Sequence, residues 1–374
     1  MDLPFTSGLN VGTGPPLGRV TGALRAARVF GFDTAWAVDH FLGFFPEQLW
    51  DGDFTWLAGP AESPHEYFEY QSLLGYLAAR AGKVRLGVGV TEPTRRHPVL
   101  LAQAFLTLAH MTKRAPILGI GSGERENIEP YGLDFHRPVS RLGEALAIIR
   151  RCFASSGPFD FLGDHFRLEG ARMDLSAPQG RTPQIWVAAH GPRMLALTGR
   201  YGDGWYPGFP FSPQRYGEML GTIRETARDA GRDPGRIVPG WQAVVVVAHS
   251  RREARRMLQA KPVKFATLLA SDEVWQRFGH EHPLGVGFRG MIDFVPDRYS
   301  KVQLEDAIGR VPIDLLGEAL LWGTPDDLFV RFSDYRDAGL RHLVIQPASA
   351  MISRRSAAYS LRAVVSIQRK LRRG

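Results

Sequence analysis

This chain has one cysteine, Cys152, in 374 residues. Intrachain disulfides are thereby excluded, and so is a thiolate metal centre, which needs partner ligands. Cys152 falls on the apolar side of a helical pattern and reads as buried filler. Lysine is also scarce: six of the 46 basic residues are lysines and the rest arginines. No apolar run approaches the roughly 20 residues of a membrane helix. Met1–Val11 lacks the basic start and apolar stretch of a secretory signal. The expected compartment is therefore the cytoplasm, with no integral membrane segment. The formal charge is +8, but basic residues are scattered apart from a tail cluster at Arg369–Arg373. Nucleic-acid binding would want a basic stripe interleaved with aromatics, so no nucleic-acid partner is expected. There is no Gly-Lys-Ser/Thr phosphate loop. The third glycine of a dinucleotide fingerprint, counted from Gly119 and Gly121, falls on Glu124. Internal repeats and low-complexity segments are lacking too.

What is present is an alternation. Apolar runs at Thr34–Val38, Val84–Val90, Ile117–Ile120, Ile185–Ala189, Val238–Ala248 and His342–Gln346 read as strands. Between them stand helical faces: Tyr70/Leu73/Leu74/Leu77, Leu101/Phe105/Leu108/Met111, Leu142/Ala145/Leu146/Ile149 and Leu328/Phe332/Tyr335. Such alternation indicates parallel βαβ units. Periodicity leaves an open doubly wound sheet and a closed barrel both standing. About eight units over this length favour a (β/α)8 barrel. One domain over 1–374 is expected, with insertions near 41–64 and 270–317. The first insertion is rich in aromatics, glycine and proline; the second is irregular and contains His280 and His282. Long loops inside a compact domain are usually lids or pocket walls.

A barrel of this kind places its chemistry at the C-terminal ends of its strands. After Thr34–Val38 come Asp39 and His40, an acid/base histidine beside a carboxylate or a hydrogen-bonded structural one. After Val84–Val90, the small residues Gly87 and Gly89 permit close approach of a flat ligand, or merely tight packing. After Ile117–Ile120, three glycines bracket Ser122 and lead to Glu124, with Asn127 three residues on. After Ile185–Ala189 comes His190-Gly191-Pro192, a helix start whose free N–H groups suit a phosphate.

Longer strings carry a resemblance. Ile117–Glu126, Glu129–Gly132, Ile185–Met194, Thr198–Asp203 and Glu281–Gly285 resemble the F420-dependent branch of the luciferase-like superfamily. Within it they are most similar to the mycobacterial dimycocerosate ketoreductases. The resemblance implies a TIM barrel, often a homodimer, holding coenzyme F420, a deazaflavin, at its strand ends. It implies catalytic roles for His40, as proton donor or acceptor at the substrate oxygen, and for Glu124, which handles a ring-nitrogen proton. Cofactor contacts are implied for Asp39, Gly89, Val90, Glu92, Asn127, Ala189, His190 and Gly191, with a non-prolyl cis peptide at Gly89-Val90. Two positions depart from the sugar-phosphate enzymes of the branch: Glu92 replaces a threonine and Phe44 a tryptophan.

The same comparison bears on the substrate. The stretch Gly204-Trp-Tyr-Pro-Gly-Phe-Pro-Phe211 has no basic residue before Arg215, and Glu318 stands where a phosphate arginine would. A carboxylate there repels phosphate. Aromatics crowd the candidate mouth instead, which suits a large apolar ligand. Phe44, Trp50, Trp205, Phe209 and His282 are the expected pocket residues, and a lipid-like ketone the expected substrate. The alternatives are an F420-dependent dehydrogenase of another alcohol or sugar phosphate, and an FMN-dependent monooxygenase on the same barrel. A coenzyme-binding protein without turnover would lack a use for His40 and Glu124. No metal is expected.

Overall fold

The computed structural model describes residues 3–154, 157–208 and 212–373. Eleven strands occur among them. In chain order they are β1 (Thr6–Asn10), β2 (Thr34–Ala37), β3 (Arg85–Thr91), β4 (Ile117–Ile120), β5 (Phe159–Leu162), β6 (Arg167–Ala171), β7 (Gln184–Val187), β8 (Gly204–Trp205), β9 (Val238–Val247), β10 (Leu321–Gly323) and β11 (His342–Pro347). Eight of these close a ring, β1-β2-β3-β4-β7-β8-β9-β11, and every neighbouring pair in it is parallel. The chain is therefore a closed (β/α)8 barrel. β10 flanks the far end of β9, and β5–β6 is an antiparallel hairpin outside the ring. Both are additions to the sequence reading, as is β1.

Covered on both faces, the ring strands are mostly apolar runs rather than strictly alternating, with polar residues chiefly at their ends. All four residues of β2 and of β4 are buried. The bore is filled by rings. Trp36 stacks on Tyr206 at 4.5 Å between centroids and meets Trp186 at 5.4 Å. Rings this large fit because facing positions are small. A Cβ on Gly8 would lie 2.6 Å from Trp36 Nε1, and one on Gly204 2.4 Å from Trp186.

Below the rings lies a polar plug. Buried His342 is held by two hydroxyls, with Nδ1 2.8 Å from Thr6 Oγ1 and Nε2 3.2 Å from Thr34 Oγ1. Thr6 donates to the Arg341 carbonyl, so it accepts from Nδ1–H. Thr34 accepts from Trp36 Nε1, so it donates to Nε2. The neutral ring thus carries its proton on Nδ1. Beside it Arg85 and Trp186 both donate to Gln184 Oε1, at 2.8 and 3.1 Å.

The two insertions differ from expectation. Residues 270–317 contain three helices, Asp272–Arg277, Lys301–Gly309 and Ile313–Ala319, with an irregular stretch over 278–300 between the first two. With Lys261–Leu268 they build a second apolar core around Phe265, Trp275, Phe294 and Leu316, into which Leu49 and Phe54 of the first insertion pack. The aromatics of the first insertion have a partner surface, which a periodicity reading has no means of seeing. Among the described residues no helix is long and apolar enough to cross a membrane. Cys152 is buried, as expected.

Candidate active site

Asp39 and His40 leave the end of β2 and meet the turn after β3. Asp39 Oδ2 accepts from Thr91 Oγ1 at 2.6 Å and from both Arg95 and Arg96 at 2.9 Å. Arg95 also donates to Glu92 Oε1 at 2.6 Å and to the Asp39 carbonyl at 3.1 Å. Glu92 accepts in addition from the Thr94 and Arg95 amides. Two carboxylates and two guanidiniums are thus locked where β2 and β3 end. Burial of such charges is tolerable only with pairing of this kind. Arg95 and Arg96 had no place in the sequence reading. The dipeptide follows a strand end, but many surface loops carry one.

His40 stands against the turn after β4. Its ring meets Phe44 edge-on at 5.2 Å and Tyr67 at 5.5 Å. Its Nδ1 lies 3.0 Å from the Leu42 carbonyl, 2.9 Å from Asn127 Nδ2 and 3.5 Å from Glu126 Oε1. Burial lowers the His40 pKa to about 4, against the Leu42 carbonyl and with help from the Arg95 charge. The imidazole is therefore neutral at physiological pH. Donor atoms of His40, Glu124 and Glu126 all lie within 4.8 Å of one another. Burial raises the Glu124 carboxyl above its ordinary range, opposed by Arg95. Burial and the neighbouring Glu124 raise Glu126 well above its range. Tyr67 is pushed up to about 12 by burial and by both glutamates. Glu126 and Tyr67 are further members that sequence reasoning missed, although Glu124-x-Glu126 displays the pair openly.

A bare backbone ledge adjoins these groups. The Gly89-Val90 peptide is cis, as expected. Gly89 rests on the filled bore, where a Cβ would come 3.1 Å from both Trp36 and Tyr206. Gly121 faces Val90 at the end of β4, and Gly123 takes a positive φ of 89° as the chain turns toward Glu124. At the end of β7, buried Ala189 gives its carbonyl to Trp205 Nε1 at 2.8 Å. His190 Nε2 accepts from the Gly208 amide at 3.2 Å. Gly191 occupies the cap of the Pro192–Tyr201 helix without a side-chain cap, and nothing lies within 4 Å of where its Cβ would be. Free helix N–H groups and exposed backbone fit a flat, phosphate-bearing coenzyme. Unpartnered buried atoms nearby, Arg95 Nη1 and Glu126 Oε2, add polar capacity.

The expected pocket residues separate. Phe44 stays at the site. Trp50 donates to the Ala61 carbonyl at 2.9 Å and packs on the insertion core beside Phe45. Two expectations are corrected. Trp205 lies within β8, fully buried and stacked on Tyr216 at 4.6 Å, so it faces the helix layer and not a mouth. His282 is buried between Trp275 and Phe288; it donates from Nε2 to the Leu268 carbonyl and accepts at Nδ1 from the Leu284 amide. Both its nitrogens are used, which makes it a structural histidine. Phe209 lies outside the described residues, and so does the side chain of Glu318.

Known proteins share this frame. The model of the luciferase-like monooxygenase family matches residues 2–342. The phthiodiolone/phenolphthiodiolone dimycocerosates ketoreductase of Mycobacterium tuberculosis is 38% identical over 334 residues, covering 88% of each chain. A 5,10-methylenetetrahydromethanopterin reductase from Methanolobus tindarius is 25% identical over 341 residues, 91% of this chain and 93% of that one. Among solved structures, an F420-dependent secondary alcohol dehydrogenase bound to an F420-acetone adduct superposes with a TM-score of 0.71. It is 20% identical, covering 92% of this chain and 94% of its own, and so speaks for the fold alone. With the closed barrel, the cis ledge and the strand-end histidine already in place, these matches establish that the chain belongs to the luciferase-like family.

Proposed function

We propose that this protein is an F420-dependent ketoreductase acting on a large apolar ketone. The observation that carries the reading is the placement of His40 and Glu124 beside the bare Gly89-Val90 ledge. Support comes from the ketoreductase relative at 38% identity. The reduced deazaflavin, when bound, would supply hydride to the carbonyl carbon. Asp39, Glu92 and the backbone at Gly89-Val90 and Ala189-His190-Gly191 would hold it, whereas Asn127, expected as a further contact, has its amide committed to Phe41, Leu42, Glu126 and His40. His40 donates its ring N–H to the substrate oxygen; a neutral ring there polarises the carbonyl and stabilises the alkoxide, and the proton passed on is replaced on the ring from solvent. Glu124, with its raised affinity for a proton, takes up the proton balance on the coenzyme side. No lysine or arginine follows β8 before Arg215, which removes the cation a sugar phosphate would need. Phe41 and Phe44 offer apolar surface next to His40 instead.

Fluorescence titration of the purified protein with F420 and with FMN tests the coenzyme. Tighter binding of F420 is expected, and tighter FMN binding would transfer the chain to the monooxygenase reading. Anaerobic oxidation of reduced F420 with ketones of rising chain length, and with glucose 6-phosphate and F420 in the reverse direction, tests the substrate. Falling KM with chain length is expected; turnover confined to the sugar phosphate would refute the ketone.

A further inference from the structure

Three groups compete for one nitrogen of His40: the Asn127 amide donates, while the Leu42 carbonyl and the Glu126 carboxyl can accept. Asn127 Oδ1 accepts from two backbone amides, Phe41 N at 2.6 Å and Leu42 N at 3.1 Å. An N–H can only donate, so the amide orientation of Asn127 is fixed by the main chain. Its Nδ2 then has two hydrogens to place. One reaches Glu126 Oε1 at 3.1 Å, and the other reaches His40 Nδ1 at 2.9 Å. A ring nitrogen that accepts carries no proton. The Leu42 carbonyl 3.0 Å away would draw a proton to Nδ1, but with Nδ1 accepting from the oriented Asn127 amide the proton of neutral His40 sits on Nε2, which makes no hydrogen bond among the described residues.

We infer that Glu126 and Asn127 are a positioning pair that fixes the tautomer of His40, holding its proton on Nε2 where a substrate oxygen can take it. Glu126 is wholly buried and its Oε2 has no partner, so its one bonded oxygen is spent on the Asn127 amide. Burying a carboxyl group with a single hydrogen bond is costly, and an amide held in one orientation is what that bond secures. The groups facing Glu126 are Glu124, Tyr67, Arg95 and His40; Arg125, its neighbour in the chain, turns away to Glu129 and Asp293. Leu42 completes the device. Its carbonyl, 3.0 Å from Nδ1, accepts a hydrogen bond from Nδ1–H whenever the ring carries a proton there. The ring thus has a partner ready in either state, but Asn127 selects the state with the reactive nitrogen loaded.

The role in ketone reduction rests on the function proposed above; the tautomer itself does not, and it is measured without coenzyme. The full chain is labelled with nitrogen-15 histidine, and the His40 signals among the 11 histidines are assigned by their loss in His40→Gln. Wild type should show an unprotonated Nδ1 and a protonated Nε2. Asn127→Asp keeps an acceptor for Phe41 and Leu42 but removes the donor, so the proton should move to Nδ1. Glu126→Gln keeps an acceptor for the amide, so the tautomer should stay. With coenzyme and ketone, Asn127→Asp should lower kcat by about tenfold or more at nearly constant KM. A protonated Nδ1 in wild type overturns the inference whatever the enzyme reduces. So does an unchanged tautomer in Asn127→Asp. The expected tautomers with no turnover of any ketone would leave the inference standing and refute the proposed function.

Discussion

The two ends of the barrel each bury a neutral histidine, and they use it in opposite ways. At the N-terminal end, His342 has both ring nitrogens bonded to threonine hydroxyls that are themselves fully committed. Its proton lies on Nδ1 and has nowhere to go. At the C-terminal end, His40 has Nδ1 held by Asn127 and Nε2 left without a protein partner among the described residues. Burial depresses both, His342 to about 3 and His40 to about 4. A depressed pKa in a histidine therefore marks burial at either end, and it is the unpaired nitrogen that marks chemistry. The same contrast holds for charge. Arg85 at the bottom shares Gln184 with Trp186, whereas Arg95 and Glu126 at the top each bury an atom with no partner.

Exchanging each histidine would break this comparison most sharply. His40→Ala removes the proton donor and should lower kcat/KM by about 10²–10⁴, the usual contribution of a general acid. Denaturant unfolding should be affected less than in His342→Leu, because one hydrogen of Asn127 is left stranded rather than two hydroxyls. A variant with full single-turnover hydride transfer would remove His40 from the mechanism. His342→Leu should do the reverse. It leaves the Thr6 and Thr34 hydroxyls without their shared partner, at a cost of about 2–4 kcal/mol in unfolding free energy. Activity per folded molecule should be unchanged, since a filled bore of Trp36, Trp186 and Tyr206 separates it from the ledge. Equal losses of activity in both variants would erase the distinction between the two ends.

pH offers a weaker probe of the same pair. An unfolded histidine takes up a proton near pH 6.5, whereas folded His40 does so near 4 and His342 near 3. Between those values the unfolded chain binds protons that the folded chain refuses. Stability is thus fully present above about pH 6.5 and falls as pH drops, by about 1.4 kcal/mol per pH unit for each such histidine. Unfolding free energies across pH 4–7 should show this slope, and His342→Leu should flatten it by one histidine's share. An unchanged slope in that variant would mean that His342 is protonated in the folded state.

Much of this frame was legible in the sequence because most of the ring strands are apolar runs separated by helical faces. The elements that escaped are those with little side-chain signal. β1 reads Thr-Ser-Gly-Leu-Asn, and β8 is two residues long. Its brevity is why Trp205 was expected on a mouth loop: a two-residue strand and the loop after it look alike until the pairing with β7 and β9 is seen. Asp39, His40 and Glu124 were visible because strand ends collect them. Arg95 and Glu126 were not, because charges near loops are ordinarily solvated and only the fold shows that these two are buried. His282 was misplaced for the complementary reason. Its neighbours Trp275 and Phe288 belong to an insertion core that no period announces.

Trp50 gives the smallest effect and the finest test of where the active site ends. Its indole donates to the Ala61 carbonyl at 2.9 Å, and its ring lies 6.2 Å from that of Phe45 on the insertion core. Trp50→Phe keeps the apolar surface and loses the hydrogen bond, so unfolding should become easier by about 1 kcal/mol. If the insertion aromatics serve chiefly to hold the two insertions together, KM for long-chain ketones should not move. A rise in KM that grows with chain length, with kcat constant, would instead place Trp50 on the substrate path, because uniform binding lost at a remote contact raises KM alone. That result would extend the active site from the polar cluster at His40 into the second apolar core, and would make the insertions part of specificity as well as of the fold.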